Sequence, residues 1–107
     1  MESLLVLTTL PDAASASRIA DLLVGQRLAA CVSILSATRS VYRWQGTLEH
    51  NEEVPLLIKT TSARYAELEI VLRDEHPYEL PEIVAVPVTH GLPAYLDWVA
   101  VETRAPS

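Results

Sequence analysis

Cysteine occurs once in these 107 residues, at Cys31, which excludes an intramolecular disulfide framework and fits a reducing compartment. Glycine is nearly as scarce. Gly25, Gly46 and Gly91 stand far apart and leave no glycine-rich loop of the kind that cradles phosphate. Long hydrophobic runs are missing too: Leu4 to Leu7, Val54 to Ile58 and Ile83 to Val88 are too short to span a bilayer, and Met1-Glu2 does not open a signal peptide. A cytoplasmic protein without a membrane partner is therefore expected. Positive charge is sparse and scattered. Lys and Arg number 8 against 14 Asp and Glu, and the resulting net charge of -6 repels phosphate backbones, so nucleic acid is not an expected partner. The acidity would attract cations, although it also serves solubility. Histidine offers no ready metal motif, because His50, His76 and His90 are widely separated and neither H-x-x-x-H nor C-x-x-C occurs. Any metal site must be assembled by folding or between chains.

What is present is apolar content of 50%, enough for one core in one domain spanning residues 1–107. Ser3 to Thr9 reads as a short strand ending at Pro11-Asp12, where Asp12 caps a helix running to about Arg27. Ala16, Ile19, Ala20 and Leu23 give that helix its apolar stripe, with the alkyl stem of Arg27 at its edge. Two long strands follow, Ala29 to Trp44 with a kink at Ser36-Ala37, and Thr47 to Thr61, joined at Gln45-Gly46. Pro55 cannot donate a ladder hydrogen bond and is expected at a bulge or an unpaired edge position. A second helix spans Ser62 to Glu75 with Tyr65, Leu68, Val71 and Leu72 inward; a last strand covers Glu82 to Thr89, and a short helix Ala94 to Glu102. The order strand, helix, strand, strand, helix, strand predicts an α+β two-layer sandwich with both main helices on one face of an antiparallel sheet.

The long arms do not match their cover. Strands of that length reach about 50 Å at roughly 3.3 Å per residue, whereas the second helix, at about 1.5 Å per residue, reaches only about 20 Å. An overhanging strand with unpaired backbone groups invites another chain, which predicts an obligate oligomer with its working site between subunits.

The segment His76-Pro77-Tyr78-Glu79-Leu80-Pro81-Glu82 is the strongest functional candidate, since two prolines stiffen an imidazole, a phenol and two carboxylates within a short connection. A rigid link that simply ends the helix is the alternative, and His76 also suits the helix dipole. Lys59 follows an apolar run and must reach the sheet edge or pair with a carboxylate such as Glu82. Tyr42 and Trp44 share a strand face, as packing residues or as the wall of a pocket. Cys31 lies in an apolar strand with no neighbouring positive charge in the sequence, which favours packing over nucleophilic chemistry. The expected ligand-binding set is therefore Trp44, Lys59, His76, Tyr78 and Glu82, with His76 and Glu82 as candidate metal ligands and Lys59 and Trp44 drawn from a neighbouring chain.

Six blocks carry a resemblance across nearly the whole chain: Leu7-Thr8-Thr9-Leu10-Pro11-Asp12, Arg27-Leu28-Ala29-Ala30-Cys31-Val32, Tyr42-Arg43-Trp44-Gln45-Gly46, Leu57-Ile58-Lys59-Thr60, the 76–82 connection, and Tyr95-Leu96-Asp97-Trp98. In order and spacing they resemble the CutA divalent-cation-tolerance family. The resemblance implies a ferredoxin-like fold, a homotrimer held by the long hairpins with an architecture similar to PII signalling trimers, tolerance of copper and other divalent metals, and no catalytic activity. A PII-like trimer binding a small anionic effector is the alternative implied. The chain departs from the family pattern where many members carry cysteine near Thr8 to Pro11, so a soft copper ligand is absent there and weak binding of a divalent cation is expected.

Overall fold

The computed structural model describes residues 2–105. Eight elements follow one another: β1 (Ser3–Leu10), α1 (Ala13–Gly25), β2 (Cys31–Ile34), β3 (Thr38–Trp44), β4 (Thr47–Thr61), α2 (Ser62–Glu75), β5 (Val84–Pro87) and α3 (Pro93–Glu102). The sheet runs β2-β4-β1-β5, with β3 also pairing β4, and every pairing is antiparallel. This is the expected α+β arrangement.

Alternation along β4 divides the sheet into two faces. Val54, Leu56, Ile58 and Thr60 are buried on one face, opposite Leu10, Thr8, Val6 and Leu4 of β1. Onto that face pack Ala16, Ile19 and Leu23 of α1 and Leu68 and Leu72 of α2. Full burial of each such aliphatic side chain contributes roughly 1.5–3 kcal/mol, which makes this layer the main source of stability. The other face carries Leu5, Leu7 and Leu57, all partly exposed, beside Val84 and Val86, which remain about half exposed. α3 touches both β4 and β1 and buries Val99. No helix among the described residues is long and apolar enough to cross a membrane.

Helix ends follow local chemistry. Asp12 caps α1 by accepting from the Ser15 backbone N–H at 2.8 Å, as the sequence predicts. The other end differs from expectation. α1 stops at Gly25, and Arg27 sits in the left-handed region at φ 59°. The Leu28 N–H reaches Leu23 O at 2.9 Å and the Arg27 N–H reaches Val24 O at 3.1 Å, the paired bonds of a Schellman ending. The Arg27 side chain extends to Glu102 O on α3 and its carbonyl accepts from Arg64 Nε of α2, so a strained position joins three helices.

The first long arm is two strands rather than one. Cys31 to Ile34 pair with Lys59 to Leu56, whereas Thr38 to Trp44 pair with Glu53 to Thr47. Three residues, Leu35 to Ala37, thus stand against two, Val54 and Pro55, and the extra residue shifts the register by one. Pro55 lies at this break, where its missing N–H costs nothing and its carbonyl still accepts from Leu35 N at 3.0 Å. Alternation beyond the break is inverted: even-numbered Val32 and Ile34 face the helices, but even-numbered Ser40, Tyr42 and Trp44 lie on the face of Glu53. The last strand is also shorter than expected, since only Val84 to Pro87 pair with β1, and β1 itself continues to Leu10.

The overhang is present. β4 has 15 residues, and the part from Thr47 to Glu53 lies beyond the pairing with β1. Val41 and Leu48 of the projecting hairpin are 57% and 58% exposed, and the longest dimension of the chain is 44 Å. At the tip Gln45 (φ 49°) and Gly46 (φ 82°) both adopt positive φ, the two-residue turn that matches strand twist. Gly46 adopts this at little cost, but Gln45 does not. Replacing Gln45 by Asn, which tolerates the left-handed region, should stabilise the protein by about 0.5 kcal/mol. A denaturant midpoint that does not rise would contradict this account of the turn.

Candidate functional site

Where β1 ends, four segments converge on the carboxylate of Glu53. Its Oε2 accepts from Thr9 Oγ1 of β1 at 3.0 Å and from the Tyr78 hydroxyl at 2.8 Å. Thr38 Oγ1 of β3 donates to the Glu53 carbonyl at 3.3 Å. Glu53 is only 9% exposed. Burial alone would raise its pKa, yet hydroxyl bonds from Ser40, Tyr78 and Thr9, with a contribution from His76, leave it below the usual carboxylate value. The group is a buried anion satisfied by neutral donors. Neither ion pair among the described residues, Arg18 with Glu75 and Arg64 with Glu67, involves it.

His76 ends α2 and holds the connection against β1. Its Nε2–H donates to Thr9 O at 2.7 Å, while Nδ1 accepts from the Tyr78 backbone N–H at 3.1 Å. These partners fix the neutral tautomer, and burial pushes the imidazole pKa down. The rings of His76 and Tyr78 lie 4.8 Å apart. Desolvation, followed by the bond to Glu53, pushes the Tyr78 phenol well above its ordinary value, so it remains a donor. Both nitrogens of His76 are thus engaged within the chain, and a metal at either would have to displace a backbone partner.

Above Glu53 opens a cleft of about 880 Å³, bounded by β3 from Ser40 to Trp44 and by the connection from Tyr78 to Val84. Ser40, Tyr42 and Trp44 occupy the Glu53 face of the hairpin, whereas Val41 and Arg43 belong to the opposite face. Asn51 Nδ2 donates to the Tyr42 hydroxyl and steadies that ring. Glu79 and Glu82 add carboxylates on the other wall.

Trp44, Tyr78 and Glu82 of the expected set are therefore brought together, with His76 directly behind Tyr78. Lys59 is not. It lies six residues along β4 from Glu53, roughly 20 Å away at about 3.3 Å per residue. Instead of pairing with Glu82, its ammonium bonds Ser33 Oγ and approaches Cys31 Sγ to 3.8 Å, with β2 at the sheet edge. Cys31 consequently has a cation beside it that sequence distance concealed. Glu53, the centre of the network, was not among the expected site residues, because it reads as one of the acids opening the returning strand; its placement depends on register. Among the described residues, no three His, Cys, Asp or Glu side chains form a group able to hold a metal.

The family model described as CutA1 divalent ion tolerance protein matches residues 4–102. The divalent-cation tolerance protein CutA of Thermus thermophilus is 45% identical over 98 residues, covering 92% of this chain and 95% of that protein. The protein of the same name from Pectobacterium atrosepticum is 41% identical over 103 residues, covering 96% and 94%. Among solved structures, CutA from Xylella fastidiosa superposes with a TM-score of 0.93 at 45% identity, covering 96% of this chain and 99% of that one. CutA1 from Oryza sativa gives 0.94 at 34% identity, covering 97% and 95%.

The buried anion has a pH signature. Its depressed pKa adds stability above the unfolded-state value near 4.5, and that stability is lost as pH falls through the lower folded-state value. Glu53→Gln should therefore lower the melting temperature at pH 7, with the gap to the unmodified protein narrowing toward pH 3. A gap independent of pH would show that the charge on Glu53 is not the stabilising feature.

Proposed function

Because this chain belongs to the CutA1 divalent ion tolerance family, we propose that it acts in tolerance of divalent cations as a non-enzymatic protein, assembling from three copies and holding a cation or small ligand in clefts between them. The observation that carries this reading is the extent of the match: residues 4–102 take in all of the cleft and every element from β1 to α3 except the first residue of β1, Ser3.

Two features support self-assembly. The projecting hairpin exposes Val41 and Leu48, and the sheet face away from α1 and α2 leaves Leu5, Leu7, Leu57, Val84 and Val86 partly uncovered. These patches differ, so one copy's hairpin on another's sheet is a heterologous contact, which closes into a ring of three when each copy is turned by a third of a revolution from the last. The outer backbone edges of β3 and β5 are available for the same contact. Lys59 would then enter a cleft only from a neighbouring copy.

The donor chemistry favours weak binding of hard or borderline cations over tight binding of copper. Thr8 and Thr9 supply hydroxyls where a thiolate would be needed, and Glu82 is the exposed carboxylate of the candidate metal pair. Free Cys31 accords with a reducing cytoplasm, and the group beside its sulfur is Lys59 rather than a histidine base.

A deletion strain should grow less well in raised copper or zinc, and the intact gene should restore growth. Unimpaired growth of the deletion strain would reject the tolerance role. Sedimentation equilibrium at micromolar concentration should give three times the chain mass of 11.8 kDa; a folded single chain would reject the assembly.

A further inference from the structure

The cleft has a chemistry that a bare metal ion would not use well. Its volume, about 880 Å³, is far larger than an ion requires, and among the described residues no convergent set of ligands could replace a divalent cation's hydration shell. Its floor is an ionised, nine-tenths buried carboxylate with neutral partners, Glu53. Its walls add Glu79 and Glu82 together with the rings of Tyr42, Trp44 and Tyr78. Arg43 also borders the space, but it belongs to the opposite face of β3 and forms no ion pair with these acids. Negative charge and aromatic side chains along one open cleft suit a bulky, weakly hydrated cation, attracted both by the carboxylates and by the ring quadrupoles.

We propose that this cleft binds an organic ammonium ion, a quaternary or fully substituted amine, with Trp44 and Tyr42 against its alkyl groups and the Glu53 and Glu82 carboxylates balancing its charge. This rests on the reading of the cleft as the protein's binding site and specifies the ligand class that the site would take. Tyr78 ties the two walls together by its bond to Glu53.

The test is a titration of the full-length protein with choline chloride, followed through the indole N–H signals of Trp44 and Trp98 in a proton–nitrogen correlation spectrum. Choline should shift Trp44 saturably and leave Trp98 of α3 in place. The uncharged isostere 3,3-dimethylbutan-1-ol should bind at least about fivefold more weakly, as loss of a cation–π and charge contribution predicts. Glu82→Gln and Trp44→Leu, both near the surface, should each weaken choline several-fold while sedimentation and melting stay unchanged; with Trp44→Leu the titration is followed by calorimetry. Equal binding of the alcohol, or shifts confined to Trp98, would overturn the proposal. A Trp44 signal moved by zinc chloride but not by choline would also overturn it, leaving the cleft as a metal-binding site. Silence toward both would end the cleft reading as well.

Discussion

Strand β4 has to serve three partners of unequal length. One edge is paired in succession with β3 and β2, whereas the other meets β1 only from Val54 to Thr61. Residues 47–53 are consequently supported from one side, and the apolar layer that stabilises the rest of the strand ends near Val54. Glu53 occupies the first position past that limit. A carboxylate buried there must be satisfied, and among the described residues the hydrogen bonds to it come from hydroxyls of β1, β3 and the 76–84 connection. The cleft exists because these bonds hold the connection to one side of the strand while the hairpin continues past it.

The Thr9, Glu53, Tyr78 and His76 contacts close into a loop: His76 returns to the Thr9 carbonyl, and Thr9 reaches Glu53 through its hydroxyl. Such a network couples the helix end to both central strands, and loss of one member leaves the others with buried unsatisfied groups. Rigidity in the 76–82 connection thus has two sources, the prolines at positions 77 and 81 and the imidazole engaged at both nitrogens. A histidine near acids in sequence invites a metal reading. The geometry gives this one a positioning role first.

Much of the fold was legible because periodicity is a local signal. The stripe Ala16, Ile19, Ala20, Leu23 and the alternation Val54, Leu56, Ile58 each show in a short window, and β4 and α2 have the boundaries expected of them. The errors lay at features that propagate. Arg27 ends α1 in a conformation usually given to glycine, and its compensation by Glu102 and Arg64 comes from elsewhere in the chain. Three of the expected site residues meet at the cleft because they flank turns whose geometry is short-range. Lys59 does not, and Glu53 was overlooked, because the distance along β4 and the register of β3 decide both. The three-dimensional companion of Cys31 was hidden for the same reason: Lys59 is its partner across two strands.

The unmatched residue between Leu35 and Ala37 leaves a spare unit of length in the sheet. Removing one residue there would restore two against two, with Ile34 still opposite Leu56 and Thr38 still opposite Glu53, so every later side chain of β3 would keep its partner and its side. Tyr42 and Trp44 would stay on the Glu53 face, because the turn at Gln45-Gly46 sets where they fall. A second deletion would find no such reserve and would pull the two strands out of step.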